Sequence, residues 1–363
     1  MASKNKNNGR IRKVPGARRI RKKELPSFTR QLAALLSSGI PVIKSLDAMH
    51  DQTTNPSLKK VIEGLRSQIE QGASVSESLA LYPDIFDELF VGTIHSGESS
   101  GALAETMERL AVYLAKAARL RSKVKSAMMY PVIVSLVCLI LTVGMIIGIV
   151  PVFAEIYADF DAALPLPTRI LVTLSEILRS QAPYVGGGLA VAVFLFIRFK
   201  RTENGGIAWD EWKLHAPVFG DLMCKISLSR FASTFAQLTR SGVPILNVLD
   251  ISATAMGNKY FGKTIRDSKA VVERGEPLSS ALFKNKNFPR MFVHMMSTGE
   301  QTGQVDSMIQ NIADFYDEEV DTTLTGLTSL IEPLLIVFLG TVIGGIVVCM
   351  FMPIFKMHEI VNF

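Results

Sequence analysis

"FTRQLAALLSSGIPVIKSLD" at residues 28–47 lies over "FASTFAQLTRSGVPILNVLD" at residues 231–250. Phe28 matches Phe231, Leu35 matches Leu238, Gly39 matches Gly242, Pro41 matches Pro244 and Asp47 matches Asp250, all at one spacing. The match extends outward. "EQGASVSESL" (70–79) lies over "ERGEPLSSAL" (273–282), and after a one-residue deletion "SGESSGAL" (96–103) lies over "TGEQTGQV" (298–305). Pro131, Pro151 and Phe153 then lie over Pro333, Pro353 and Phe355. Self-similarity at fixed spacing is a statement about architecture: the chain is one unit written twice.

Within each copy the apolar residues fall at helical spacing. Leu32, Leu35 and Leu36 share one face, Val61, Leu65 and Ile69 another, and Ser-Gly-Ile-Pro at 38–41 punctuates a helix–helix turn. No sustained alternation of period two occurs. The fold class read from this is all-α, with two repeated helical bundles of roughly 90 residues, each large enough to bury a core.

Hydrophobic residues make up 48% of the 363-residue chain, which places much of it in lipid. Residues 127–154 and 333–355 carry no charge, and each run exceeds the roughly 20 residues that a membrane helix needs. Residues 184–199 form a shorter run, about 24 Å long at roughly 1.5 Å per residue, which spans if Arg198, Lys200 and Arg201 snorkel. Residues 1–23 are strongly basic with no apolar stretch of a signal peptide behind them. Arg119, Arg121, Lys123 and Lys125 precede the first span and Arg198, Lys200 and Arg201 follow the second, so both flanks read as cytoplasmic. The loop with Glu155, Asp159, Asp161 and Glu176 against Arg169 and Arg179 reads as outside.

The expected order is a disordered basic tail (1–24), cytoplasmic repeat (25–122), span (123–153), outer loop (154–182), span (183–200), second cytoplasmic repeat (201–328), span (329–355) and outer tail (356–363). The middle span returns the chain so that the second repeat lies on the side of the first. The repeats are then parallel, unlike those of inverted-repeat transporters.

One stretch imitates a nucleotide site. "GNKYFGKT" at 257–264 fits the phosphate-loop pattern through Gly257, Gly262, Lys263 and Thr264. Its counterpart "TNPSLKKV" at 54–61 has neither glycine nor the Lys-Thr pair, and "NVLDISATAM" before it reads as a helix, not a buried strand. An ATPase is disfavoured. Cys138, Cys224 and Cys349 are scattered and read as structural, and His50, His95, His215, His294 and His358 show no metal-site spacing. No ionisable residue lies inside a span, which argues against an ion-driven pump or transporter. No catalytic group, cofactor or metal is expected. The basic tail suits anionic lipid or a protein partner, whereas the aromatic interleaving of single-strand nucleic-acid binders is missing.

Three features remain as candidate sites. The turns Gly97-Glu98-x-x-Gly101 and Gly299-Glu300-x-x-Gly303 recur in both copies; their glycines permit left-handed backbone or close helix approach. The glutamate between them binds a cation, caps a helix, meets a basic partner or simply stays solvated. Lys116 and Arg119 occupy the positions of Glu318 and Asp321, with Arg121, Lys123 and Lys125 set against Asp314, Asp317 and Glu319. This sets a basic stalk against an acidic one, or leaves both as solvated faces. In the spans, Gly144-x-x-x-Gly148 and Gly340-x-x-x-Gly344 allow close helix packing.

The sequences "FTRQLAALLSSGIPVIKSLD", "SGESSGAL", "TGEQTGQV", "KVKSAMMYPVIV" (123–134) and "IEPLLIVFLG" (331–340) together resemble the platform proteins of type IV pilus and type II secretion machines, the PilC/GspF family. The resemblance runs over residues 25–361. "FTRQLA", "DAALPLPTRILVTLS" and the Gly344-Gly345 pair look more similar to the pilus branch. It implies a non-enzymatic scaffold in the bacterial inner membrane, for which the basic flanks and three spans above put the N-terminus in the cytoplasm and the C-terminus in the periplasm. It also implies contact with a cytoplasmic hexameric ATPase, pilin or pseudopilin subunits and other inner-membrane assembly proteins, and a homo-oligomer, dimer or trimer. The Glu98 and Glu300 turns are then expected to meet a cytoplasmic partner, and the glycine-bearing spans to pack on each other or on pilin helices.

Overall fold

The computed structural model describes residues 13–158, 165–217 and 219–361, and every regular element among them is helical. Residues 1–12 of the basic tail, Asp159 and Asp161 of the outer loop and residues 362–363 lie outside the described residues. Two compact units are formed, one from residues up to Ser122 together with Asp210–Val320, the other from Lys123–Trp209 together with Asp321–Phe363.

The first unit holds both repeats. In each, an opening helix (Leu25–Ser37 or Phe219–Arg240) turns at Gly39 or Gly242, which sit at φ +79° and +74°, a conformation that glycine adopts without steric cost. A second helix (Val42–Gln52 or Ile245–Ala255) and a third (Pro56–Glu70 or Lys259–Glu273) follow. Asn55 and Asn258 cap the third helices by accepting from their first-turn amides. A short helix (Val75–Ala80 or Leu278–Phe283) and a longer one (Glu88–Ser99 or Arg290–Thr302) complete each repeat before the stalk, Leu103–Gly144 in the first copy and Val305–Val361 in the second.

The cores differ from the expectation of two bundles each with its own interior. Phe28, Phe86 and Phe90 of the first repeat and Phe231, Phe235, Phe261 and Phe292 of the second belong to one continuous buried cluster. The repeats therefore fold as one body. The start of the first repeat also lies earlier than the expected end of a disordered tail: Ala17–Arg19 and Ile20–Glu24 are helical. Ala17 and Ile20 are buried one turn apart, Arg21 pairs with Asp87, and Asn55 Nδ2 donates to Glu24 at 2.7 Å.

Two helices are long and apolar enough to cross a membrane, Leu103–Ile156 and Val305–Met352; the second unit holds their parts from Lys123 and from Asp321 onward. Leu334 and Val337 are 67% and 68% exposed, a cost that water would not permit along a whole helix and lipid removes. The region expected as an outer loop contains the helix Leu166–Ser180, whose Leu171, Val172 and Leu178 pack on Ile146, Val150, Ile346 and Met350 of the two long helices. Ala182–Arg201 forms a further helix of 20 residues. Its described apolar side chains, Val191, Phe194, Leu195 and Phe199 among them, are exposed.

Candidate functional site

Each position of the repeated Gly-Glu-x-x-Gly turn has a separate mechanical task. A methyl group added at Gly97 would stand 2.6 Å from Thr106 Cβ, and one at Gly299 would stand 2.9 Å from Met308 Cβ. The first glycine is thus the contact by which the longer helix meets the stalk. Gly101 and Gly303 carry φ +72° and +70°; Gly303 closes its helix in the left-handed form typical of helix ends, its amide donating to Gly299 O. Glu98 reaches back to the short helix: Val75 N–H donates to Oε1 at 2.7 Å, Ser76 N–H to Oε2 at 3.1 Å and Ser76 Oγ–H to Oε2 at 2.7 Å. Glu300 repeats this, accepting from Leu278 N–H at 2.6 Å and Ser279 N–H at 3.2 Å.

The carboxylates therefore cap helix N-termini, where amides without helical acceptors and the helix dipole both favour a negative charge. At Glu98 partial burial opposes the charge; the Ser76 hydroxyl and the Val75 and Ser76 amides outweigh it and hold the carboxyl below its ordinary value. Among the alternatives open at the sequence level, the cap is the one realised within the chain.

The stalks meet with opposite charges. Lys116 Nζ lies 2.9 Å from Asp314 and Lys123 pairs with Asp321; on the opening helix of the second repeat, Lys225 Nζ lies 2.8 Å from both Asp221 of that helix and Glu319 of the second stalk. Lys116 thus meets Asp314 instead of its counterpart Glu318, and Asp321 is taken by Lys123 instead of Arg119. Counterparts occupy the same place in two copies, and packing one copy on the other brings together residues about one turn apart. Glu318 and Arg119 make no ion pair among the described residues.

Above the stalk pairs, the first repeat docks on the second. Ser96 donates to the Ser241 carbonyl, Arg109 Nη1 donates to the Arg240 carbonyl at 2.9 Å, and the hydroxyls of Tyr113 and Thr234 lie 2.8 Å apart. Burial raises the pKa of the Tyr113 hydroxyl, which keeps it neutral. None of these contacts was signalled in the sequence, because each of the residues is an ordinary helix-face or turn residue until the other repeat covers it.

The phosphate-loop imitation resolves into a helix start. Ile245–Ala255 precedes it, Gly257 makes the turn at φ +72°, and Lys263 and Thr264 lie inside Lys259–Glu273. Gly262 is the close-packing residue here, since a methyl group would stand 2.7 Å from Ala253 O.

The span glycines are not where the two long helices meet. Nothing lies within 4 Å of a methyl placed at Gly144, Gly148, Gly340 or Gly344. The buried contact is Ile146 and Val150 with Ile346 and Met350; Ile146, Val150 and Ile346 are each two residues from one of these glycines, and residues two apart face away from one another on a helix. Among the described residues, no group of His, Cys, Asp or Glu is placed to hold a metal, and all three cysteines are free.

The family model described as "Type II secretion system (T2SS), protein F" matches residues 28–151 and again 231–353, once for each repeat. The chain is 39% identical over 344 residues to the type IV pilus assembly protein PilC of Myxococcus xanthus, covering 95% of this chain and 82% of that one. It is 40% identical over 337 residues to the PilC of Thermus thermophilus, covering 92% and 82%. To the type II secretion system protein F of Vibrio cholerae it is 30% identical over 339 residues, covering 93% and 84%. With both repeats matched and the relatives aligned along most of their length, the chain belongs to the type II secretion system protein F family.

Proposed function

We propose that the chain is a non-enzymatic inner-membrane platform for the assembly of type IV pili. In this reading it takes force from a cytoplasmic hexameric ATPase and passes it to pilin subunits leaving the bilayer, and it works as a homo-oligomer. The observation that carries the proposal is the single body formed by two repeats that flank membrane helices in sequence. Such a body, continuous in sequence with apolar helices, is suited to transmitting a push across a membrane boundary. The pilus-named relatives, at 39% and 40% identity, favour the pilus over the secretion system. The secretion platform is the second reading, supported by the Vibrio cholerae relative.

The same body supports three membrane crossings. Residues up to Ser122 and residues from Asp210 pack together, so the chain that leaves their side after Ser122 returns before Asp210. Ala182–Arg201, about 30 Å long at roughly 1.5 Å per residue, is the helix available for the return. The N-terminus then lies in the cytoplasm and the C-terminus in the periplasm. Gly144, Gly148, Gly340 and Gly344, open within the chain, offer smooth helix faces to a pilin helix. The Glu98 and Glu300 turns set the surface that an ATPase meets, through the residues they hold in place.

The test is crosslinking in cells followed by purification in detergent and mass spectrometry. Recovery of an assembly ATPase with a major pilin is the expected result. Recovery of pseudopilins in place of the pilin decides for the secretion machine, and recovery of neither from folded protein overturns the platform.

A further inference from the structure

The docking of the first repeat on the second uses only half of what the duplication provides. Gly92, Ser96, Arg109 and Tyr113 of the first repeat are half-buried against the second. Their counterparts His294, Thr298, Asn311 and Phe315 are all exposed. The receiving side shows the reverse: Thr234 is fully buried and Ser241 half-buried, whereas their counterparts Gln31 and Ser38 are exposed. Each repeat thus owns a plug and a socket. Within one chain only the first plug and the second socket are engaged.

The unused socket has the right shape and charge for the unused plug. Between the helices Leu25–Ser37 and Leu103–Gly144 lies a groove of about 410 Å³ bordered by Arg30, Ala34, Ser37, Val112 and Arg119. Tyr113 occupies the corresponding place on the second repeat, where it meets Thr234 and borders Ser233. Phe315, the counterpart of Tyr113, is 38% exposed. Glu318 lies one turn further along the same face, and neither it nor Arg30 or Arg119 is in an ion pair among the described residues. The free plug carries Glu318, and the free socket carries Arg30 and Arg119 against Glu108, so the two faces differ in net charge sign.

We propose that a second copy of the chain fills this groove, with the plug of its second repeat, His294, Thr298, Phe315 and Glu318, seated on the Gln31, Ser38 and Arg119 socket of its neighbour's first repeat. The contact repeats between chains the packing that each chain makes within itself. It is head-to-tail, because plug and socket are different surfaces, and head-to-tail contacts close into rings or run on as filaments. Copies held in one bilayer share one orientation, so any rotation from copy to copy is about the membrane normal, and the contact closes into a ring when that rotation divides the full circle. The inference rests on the homo-oligomer part of the proposed function and is independent of what the platform assembles.

Full-length protein with Cys138→Ser, Cys224→Ser and Cys349→Ser supplies the test. Two differently tagged copies, one with Thr298→Cys and the other with Ser38→Cys, are expressed together and oxidised in native membranes. A disulfide-linked pair carrying both tags is expected. Ser96→Cys with Ser241→Cys in a single chain links without gain of mass and reports that the repeats are folded. Glu318→Arg in the Thr298→Cys copy lowers the yield about threefold, the range expected of an exposed ion pair, and Arg30→Glu with Arg119→Glu in the Ser38→Cys copy restores it. The proposal is overturned if the 96–241 link forms while 298 and 38 stay unlinked between copies. It is equally overturned if Thr298→Cys copies link to one another as readily, which would mean a two-fold contact, or if Ser38→Cys links to a different protein. Cells that make pili while the copies fail to link sink the interface and leave the platform standing; linked copies in cells without pili do the opposite.

Discussion

Glu300 and Glu98 perform one task on unequal backgrounds, which makes the pair a measurement of capping strength. The short helix of the first repeat is also held by Ser74 and Glu77, each bonding the other's backbone amide, whereas Pro277 at the same place in the second repeat caps nothing. Glu300→Ala therefore removes the side-chain acceptor of its helix and costs about 2 kcal/mol, and Glu98→Ala costs about 1 kcal/mol because the capping box remains. Thermal unfolding in detergent reads both through Cys224, in a Cys138→Ser, Cys349→Ser background. Burial, then the Asp221 carboxylate, pushes that thiol up to about 12, so a maleimide dye reports only unfolded protein. Glu98 adds a pH signature. Its carboxyl titrates below its ordinary value when folded, so its contribution is complete above the unfolded value of about 4.3 and is lost as pH falls through the folded one. The gap between wild type and Glu98→Ala is expected to close on acidification. At Gly97 the effect is steric: Gly97→Ala sets a methyl against Thr106 and costs about 2 kcal/mol, whereas Gly101→Ala meets open space and costs about 1 kcal/mol for its left-handed backbone. The recurrence of the turn was legible in the sequence and so were its glycines. The helix that the glutamate caps was not, because its acceptor lies 22 residues away and is brought near only by packing.

At the level of elements, the two long apolar helices face one covalent problem and meet it differently. Pro151 and Pro353 occupy matching positions and neither has an N–H to donate. In the first helix the backbone widens to a π-turn over Met145–Ile149 directly ahead of the proline, with Val150 N–H donating to Met145 O. In the second, the carbonyl left without its helical donor is that of Cys349, and the Thr168 hydroxyl donates to it. This fixes the start of Leu166–Ser180 against the end of the long helix. Thr168→Val keeps the shape and strands the carbonyl, an expected cost of about 1 to 3 kcal/mol; Thr168→Ser, which keeps the donor, is expected to cost less. Thermal unfolding of the two variants compared with wild type checks the order, and equal losses would assign Thr168 to packing. The stalk ion pairs are weaker features. Lys116 and Asp314 are each about half exposed, and such pairs stabilise by at most about 1 kcal/mol, so they set the register of stalks that the apolar core already holds together. The opposite charge of the stalks was legible from the divergence of the copies, and the partners were not, since a shift of one turn along a helix leaves the composition unchanged.

For the whole molecule, duplication decides topology. A body built from residues on both sides of the apolar region constrains the chain between them to cross an even number of times, and hydropathy alone never supplied that constraint. The weakest of the apolar segments, 184–199 in the sequence, gains length in the structure as Ala182–Arg201, and in the proposed topology its Arg198, Lys200 and Arg201 reach the cytoplasmic headgroups. The prediction is a labelling pattern on intact cells, in the cysteine-free background, with a maleimide that cannot cross the inner membrane and an opened outer membrane. Ser180→Cys is expected to label, because it ends the helix Leu166–Ser180, which the proposed topology puts outside. Ser100→Cys and Thr302→Cys, one on each repeat, are expected to stay unlabelled until the inner membrane is broken. Labelling of Thr302→Cys on intact cells would place the repeats on opposite sides and break the Lys116–Asp314 and Tyr113–Thr234 contacts on which the single body depends. Labelling of none of the three would instead leave Leu166–Ser180 inside, with the chain re-entering and withdrawing instead of crossing.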